Sequence, residues 1–377
     1  MLESLHGTFA GGVIAFTVLL PPFVLCFITP IISSYLLLSA GWYMAEVGQA
    51  LIALVCNSFP KAGQLGTAAA VGITAAIAAS DPMAHGAITG SIIWVLMTLA
   101  NWGHCFAYSP AFSYSMCNLS MGTYFRRCEL RGELDQMSTK ETLYLFHPHG
   151  VVTCGFSCNG VWSQDFISRT TPTDTFDPKT HEAADGRFRG TVFFIARALR
   201  ETTAIFKAIC DLSGRLESST KKDMLRVMRT GRNMAIIPGG FEDATIYAYG
   251  AHRTAMRSRK GLIKYALQYG YTLTPIYTFG ENRTYSTFSG LLALRLWINS
   301  FQLPAIAFCG KWFAPIYPHN DVDILSYVGP PLKLPTIENP TPADVDAWHA
   351  KYLAALQMLF DKNKQDAGEP EARLEIW

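Results

Sequence analysis

Charge is confined to one end of this chain. Residues 1–125 hold only Glu3, Glu46, Lys61 and Asp81, whereas 56 of the 60 Asp, Glu, Lys and Arg residues lie in 126–377. From Ser4 to Ala45 there is no such residue, and from Pro82 to Phe125 there is none again. A bilayer crossing takes about 20 apolar residues, so the first run has room for two short crossings. Pro21-Pro22 and Pro30 interrupt it, and proline breaks or kinks a helix interior, so a hairpin dipping into one leaflet fits equally well. Gln64 to Ala79 is Ala-rich and only weakly hydrophobic. Residues 1–125 are therefore expected to form an α-helical membrane region of two to four segments. A cleavable signal peptide is a poor match, because the first run is too long and lacks a basic start. A soluble helical bundle fits runs of this length without charge no better.

The remainder, 126–377, is expected to be a separate domain with an ordinary globular surface. Arg126, Arg127 and Arg131 directly follow the last apolar run. Basic residues beside a membrane segment favour the cytosolic side, so this domain should face the cytosol and the Asn282-Arg283-Thr284 sequon should carry no glycan. The net charge of +2, with no basic stripe interleaved with aromatics, excludes a nucleic-acid partner. Nine cysteines without Cys-x-x-Cys spacing read as free thiols in a reducing compartment rather than as a disulfide framework.

Within 126–377, apolar runs alternate with helical patterns. Leu143-Tyr144-Leu145-Phe146 reads as a buried strand stopped by Pro148 and Gly150. Val192–Ile195, Met234–Ile237 and Thr272–Thr278 read as further strands. Thr170–Gly190, rich in Thr, Asp and Gly, reads as an exposed loop. Lys221–Arg229 is predicted helical with Gly231 as its stop, and Leu262, Ile263, Ala266 and Leu267 mark a second helix ended by Gly270. Thr341-Pro342-Ala343-Asp344 has the layout of a helix start, and Val345, Trp348, Tyr352, Leu353, Leu356, Leu359 and Phe360 continue it as an amphipathic helix. Strands alternating with helices predict an α/β domain, a central sheet flanked by helices.

Three polar, glycine-containing segments each follow a predicted strand, beginning at His147, Gly239 and Gly280. In open α/β sheets ligands bind outside the carboxyl ends of the strands, so the three are candidates to meet at one site. His147-Pro148-His149-Gly150 supplies imidazoles, and Pro238-Gly239-Gly240-Phe241 leads to Glu242 and Asp243. A base that takes a proton from an acceptor hydroxyl, with backbone N–H groups around a developing oxyanion, is what acyl transfer requires. Gly150, Gly239 and Gly240 are the candidate oxyanion and turn positions. A turn whose imidazoles merely pack is the plain alternative, and a metal site is disfavoured because Cys154 and Cys158 match no common zinc spacing. Arg259 and Lys260 are suited either to the phosphates of coenzyme A or to a charged helix start.

Leu145 to Gly150, Arg259-Lys260-Gly261 through Phe279-Gly280-Glu281-Asn282 and Tyr285, and the tail from Val328-Gly329 to Phe360-Asp361-Lys362 together resemble the type-2 diacylglycerol acyltransferase family, which includes monoacylglycerol acyltransferases and some wax-ester synthases. The likeness runs over roughly 120–365. It implies an α/β acyltransferase domain and an acyl-CoA-dependent O-acyltransferase that makes triacylglycerol from diacylglycerol. Monoacylglycerol or a wax alcohol is the alternative acceptor, with a lysophospholipid acyltransferase or a non-enzymatic membrane protein further off. It further implies residence in the endoplasmic reticulum membrane and on lipid droplets, contact with membrane lipid, and no cofactor beyond acyl-CoA as co-substrate; a homo-oligomer is compatible with it. His147 or His149 would be catalytic with a partner acid in the glycine-rich segment. Of the histidines His149, on the exposed part of the turn, is preferred to His147; of the acids Glu242 is taken. Arg259, Lys260, Phe279, Gly280, Glu281 and Asn282 would contribute to substrate binding. The hydrophobic region is longer than the single paired segment usual in the family, and Pro238–Glu242 is a variant of its glycine segment.

Overall fold

The computed structural model describes residues 106–377 apart from 120, 175, 184, 203, 302–304 and 313. Most of the expected membrane region, residues 1–105, lies outside the described residues. The chain divides into two units, and the unit taken up here comprises 106–200 and 208–377 among those residues. Among the described residues no helix is long and apolar enough to cross a membrane. The end of the second charge-free run instead belongs to the α/β unit. Ser109 caps a helix α1 (Pro110–Asn118), which buries Ser113, Met116 and Cys117.

Strands β1 (Arg127–Gly132), β2 (Thr142–His147), β3 (Val192–Ile195), β4 (Leu216–Ser218) and β5 (Met234–Ile236) are followed by β6 (His252–Thr254) and β7 (Thr272–Phe279). The short β8 (Ser286–Thr287) and β9 (Phe308–Cys309) precede β10 (Asp323–Val328), β11 (Leu332–Lys333) and β12 (Leu374–Ile376). The main sheet has the order β1-β10-β7-β2-β5-β3-β4, with β11 beside β7. Strands β7, β2, β5, β3 and β4 run parallel, whereas β10 is antiparallel to β7. The mixed α/β expectation holds, and the four strands read from apolar runs form its middle.

Helix α2 (Cys154–Phe156) follows β2 and continues as a π turn over Ser157–Val161; α3 (Gln164–Thr170) comes next. After α4 (Arg197–Thr202) and α5 (Ala204–Ser213) come α6 (Lys221–Met228), α7 (Gly240–Ile246), α8 (Gly261–Tyr269), α9 (Leu292–Asn299) and the long α10 (Pro342–Asn363). The sequence cues explain several ends. Gly270 adopts φ +66° and stops α8 in the left-handed conformation that glycine takes without strain. At α10, the Thr341 hydroxyl accepts the Asp344 N–H while the Asp344 carboxylate accepts the Thr341 N–H, a capping box.

Strand β2 is buried along its whole length because both sheet faces are covered. Side chains alternate across a strand. Leu143 and Leu145 join a core with Ile263 and Leu267 of α8, Met224 and Val227 of α6, and Tyr352, Leu356 and Phe360 of α10. Tyr144 and Phe146 face the other way, into an aromatic layer with Phe156, Phe166 and Phe193. By the same alternation His147, the last residue of β2, points towards α10.

The 170–190 segment departs from the exposed loop expected of it. Phe176, His181 and Phe188 are buried, and they pack round Arg215, which is wholly buried just before β4. The Arg215 guanidinium donates to the Val161 carbonyl at 2.6 Å, to Ser113 of α1 and to His181 Nδ1 at 3.0 Å. Polar composition marked this stretch as a loop; one buried cation that needs acceptors folds it inward.

Candidate functional site

The segments after β2, β5 and β7 meet at the carboxyl edge of the parallel strands. The contacts between them are made by carboxylates. Asp243, in the first turn of α7, accepts the backbone N–H of His149 at 3.1 Å, that of Ala255, and the Thr254 hydroxyl at 3.3 Å. Glu281, after β7, accepts the N–H groups of Cys154 at 2.9 Å and Gly155 at 2.6 Å, the open end of α2. Both acids are buried. Burial disfavours the ionised form and the N–H donors favour it. Burial prevails: Asp243 is pushed up to about 6 and Glu281 to about 7.

The two histidines have opposite surroundings. His147 is fully buried, with Nδ1 2.9 Å from the Thr254 hydroxyl and Nε2 2.8 Å from the Tyr352 hydroxyl of α10. The Thr254 hydroxyl has one proton; given to the Asp243 carboxylate, it leaves Thr254 to accept from His147 Nδ1–H. His147 Nε2 then accepts from Tyr352. Burial lowers its pKa to about 3, so the ring stays neutral. His149 is half-buried, and its Nδ1 lies 3.0 Å from the Gly150 carbonyl. A carbonyl can only accept, so Nδ1 carries the proton and Nε2 keeps its lone pair. Among the described residues none hydrogen-bonds that Nε2. Burial lowers the His149 pKa and the Gly150 carbonyl raises it, leaving it below the ordinary histidine value.

Two glycines of the motifs are required by these carboxylates rather than by open space. A Cβ on Gly150, which has φ +64°, would strike the Glu281 carboxylate, and one on Gly239 would strike that of Asp243. Gly240, φ +55°, has nothing near a Cβ and is the open position of the three.

The other sequence candidates fall into separate places. Glu242, next to Asp243 in α7, turns to Arg259 at 2.8 Å, and the acid that reaches the histidine turn is Asp243. Lys260 pairs with Asp346 of α10 at 2.7 Å. Phe279 is core, stacked on Phe360 with ring centroids 5.1 Å apart. Gly280, φ +83°, lets the chain pass against the Asp323 carbonyl. Asn282 is buried, with its amide 3.2 Å from His252 Nε2. Burial by itself disfavours a glycan on Asn282, so an unmodified sequon would not decide topology, while a glycan there would still contradict a cytosolic placement. Thr254 and Tyr352 were missed, because no local pattern marks a hydroxyl that reaches a histidine more than a hundred residues away.

A histidine turn and two buried carboxylates thus stand together at the carboxyl edge of an open α/β sheet. A family model described as Diacylglycerol acyltransferase matches residues 114–377. The chain belongs to that family. It is 32% identical over 246 residues to human diacylglycerol O-acyltransferase 2-like protein 6, a match covering 60% of this chain and 67% of that protein. It is 30% identical over 252 residues to human diacylglycerol O-acyltransferase 2, covering 63% and 60% of the two chains. The counterpart of Dictyostelium discoideum is 28% identical over 244 residues, with 62% and 68% covered. The matches thus span about three fifths to two thirds of the relatives. No solved structure gives a significant match.

Proposed function

We propose that the chain is an acyl-CoA-dependent O-acyltransferase that makes triacylglycerol from diacylglycerol, as the names of its relatives suggest. The observation that carries this reading is the His149 imidazole. Its tautomer is set by the Gly150 carbonyl, which leaves the lone pair on Nε2, and the turn that carries it is bonded through its backbone N–H to Asp243 of the segment after β5. Nε2 takes the proton of the acceptor hydroxyl as that oxygen attacks the thioester carbonyl. Backbone N–H groups of the Gly150 and Gly240 turns hold the oxyanion. Collapse expels the coenzyme A thiolate, which takes the proton from the imidazolium. Asp243, bonded to the His149 backbone, offsets the charge of that imidazolium. His147 fixes the turn.

Arg259 and Lys260, each about half exposed at the start of α8, are suited to coenzyme A phosphates once released from Glu242 and Asp346. Residence in the endoplasmic reticulum membrane and on lipid droplets, with this unit facing the cytosol, belongs to the same reading. The test is an assay of membranes containing the expressed chain, with labelled acyl-CoA and separate diacylglycerol, monoacylglycerol, long-chain alcohol and lysophosphatidate acceptors. Label in triacylglycerol is the expected result. Label only in phosphatidate would overturn the reading.

A further inference from the structure

We propose that residues 288–301 rest in the surface of a lipid bilayer, giving the catalytic unit a membrane contact of its own. From Thr284 to Gly310 the single Asp, Glu, Lys or Arg is Arg295. That one charge is turned inward: Arg295 is buried and donates to the Ala305 carbonyl at 2.8 Å and to the Thr245 carbonyl of α7. Facing out are Phe288, Leu291, Leu294, Trp297 and Phe301, each 49% to 67% exposed. Helix α9 therefore wears its apolar side on the surface and its cation beneath, the reverse of a helix that covers a soluble core. A contiguous exposed apolar patch marks an interaction surface, and a short helix with Trp, Phe and Leu on one face is the form that lies in the headgroup–acyl boundary.

The lipid occupant follows from where the charge-free chain ends. The run from Pro82 to Phe125 enters the described fold, and its Tyr124 donates to the Pro318 carbonyl at 2.7 Å. The same ring lies 5.2 Å from the Lys311 ammonium. Lys311 follows β9, β9 pairs with β8, and β8 leads into Phe288 and α9. The apolar lobe is thus tied to the folded end of a charge-free run that, further back along the chain, reads by composition as membrane-embedded. Helix α9 also packs on α7, which carries Asp243, so the lipid-facing helix adjoins the proposed site. The contact with lipid stands by itself. That it brings diacylglycerol to the site rests on the proposed function.

The test reconstitutes the full chain in phosphatidylcholine vesicles containing a phosphatidylcholine with a photoactivatable acyl chain. After illumination, lipid adducts are mapped to peptides. Adducts within 288–301 are expected; none there, or chain-to-chain crosslinks in their place, would overturn the proposal. The Leu294→Gln/Trp297→Gln variant, changed only at exposed positions, should lose those adducts. Its apparent KM for long-chain diacylglycerol in vesicles should rise about tenfold, because two apolar anchors are removed. Turnover of a short-chain, water-soluble diacylglycerol should stay at the wild-type rate, which excludes misfolding. A wild-type chain that gains adducts but transfers no acyl group would defeat the proposed function and leave the membrane contact standing.

Discussion

The polar cluster under the histidine turn and the lobe from Thr284 to Gly310 invert the usual arrangement of a globular protein. Beneath the turn, His147, Asp243, Thr254 and Glu281 are buried and saturated with hydrogen bonds. On the lobe, Leu291, Trp297 and Phe301 face outward and the one cation faces in. The polar groups are inside because a carboxylate in low dielectric holds backbone N–H groups firmly and fixes the turn they belong to. The apolar groups are outside where the surrounding medium is proposed to be lipid. Polarity in this unit therefore follows the task of each region.

The largest effect should come at His149, whose Nε2 has no hydrogen-bond partner among the described residues. His149→Ala removes Nε2 and should lower kcat by about 10²–10⁴-fold, with acyl-CoA binding retained in a calorimetric titration. Because the His149 pKa lies below 6.5, wild-type kcat should fall only as pH drops beneath that value, when the base becomes protonated. Near-normal turnover in His149→Ala together with a dead His147→Ala would exchange the two roles.

Tyr352→Phe should cost stability rather than chemistry. It leaves His147 Nε2 buried without its donor, a loss of about 1–3 kcal/mol, measured by thermal unfolding of the detergent-solubilised chain. A kcat reduced as far as in His149→Ala would mean that His147 takes part directly.

Glu281 gives a pH signature. Its folded pKa of about 7 lies above the ordinary glutamate value of 4.5, so the folded state binds the proton more tightly. Its contribution to stability is full below 4.5 and is lost as pH rises through 7. The stability advantage of wild type over Glu281→Gln should be widest in acid and shrink towards pH 8. A difference independent of pH would place the ionised carboxylate in both states.

The smallest effect should be at the rim. Glu242→Gln breaks a half-exposed pair with Arg259, worth about 0–1 kcal/mol, and should leave kcat within about twofold. A large loss would restore Glu242 as the acid that supports the base.

The middle of the fold was legible because its information is local. Leu143–Phe146, Val192–Ile195 and Thr272–Thr278 are short apolar runs between breakers, and Gly270 and Thr341 punctuate helices within a turn of their own positions. The other strands were not legible: β4, β6, β11 and β12 have two or three residues each and exist only through their neighbours, and the six-residue β1 and β10 at one edge of the sheet were not read as strands either. The 170–190 segment was legible as irregular but not as buried, because Arg215 lies beyond it in sequence.

By itself the sequence determined that three glycine-bearing segments would end three strands, and that charge would be sparse both in 1–125 and in 284–310. The tertiary structure decided what each residue in those segments does. Glu242 and Asp243 are neighbours on a helix, and successive residues point about 100° apart, so one faces the turn and the other faces solvent. Which one faces in depends on how α7 docks, and no pattern within seven residues encodes that. His147 and His149 are separated by a single residue, yet one is locked by hydroxyls from β6 and α10 and the other keeps a lone pair unbonded among the described residues. The partners that make them different, Thr254 and Tyr352, lie 107 and 205 residues from His147 along the chain, where only the folded packing can bring them.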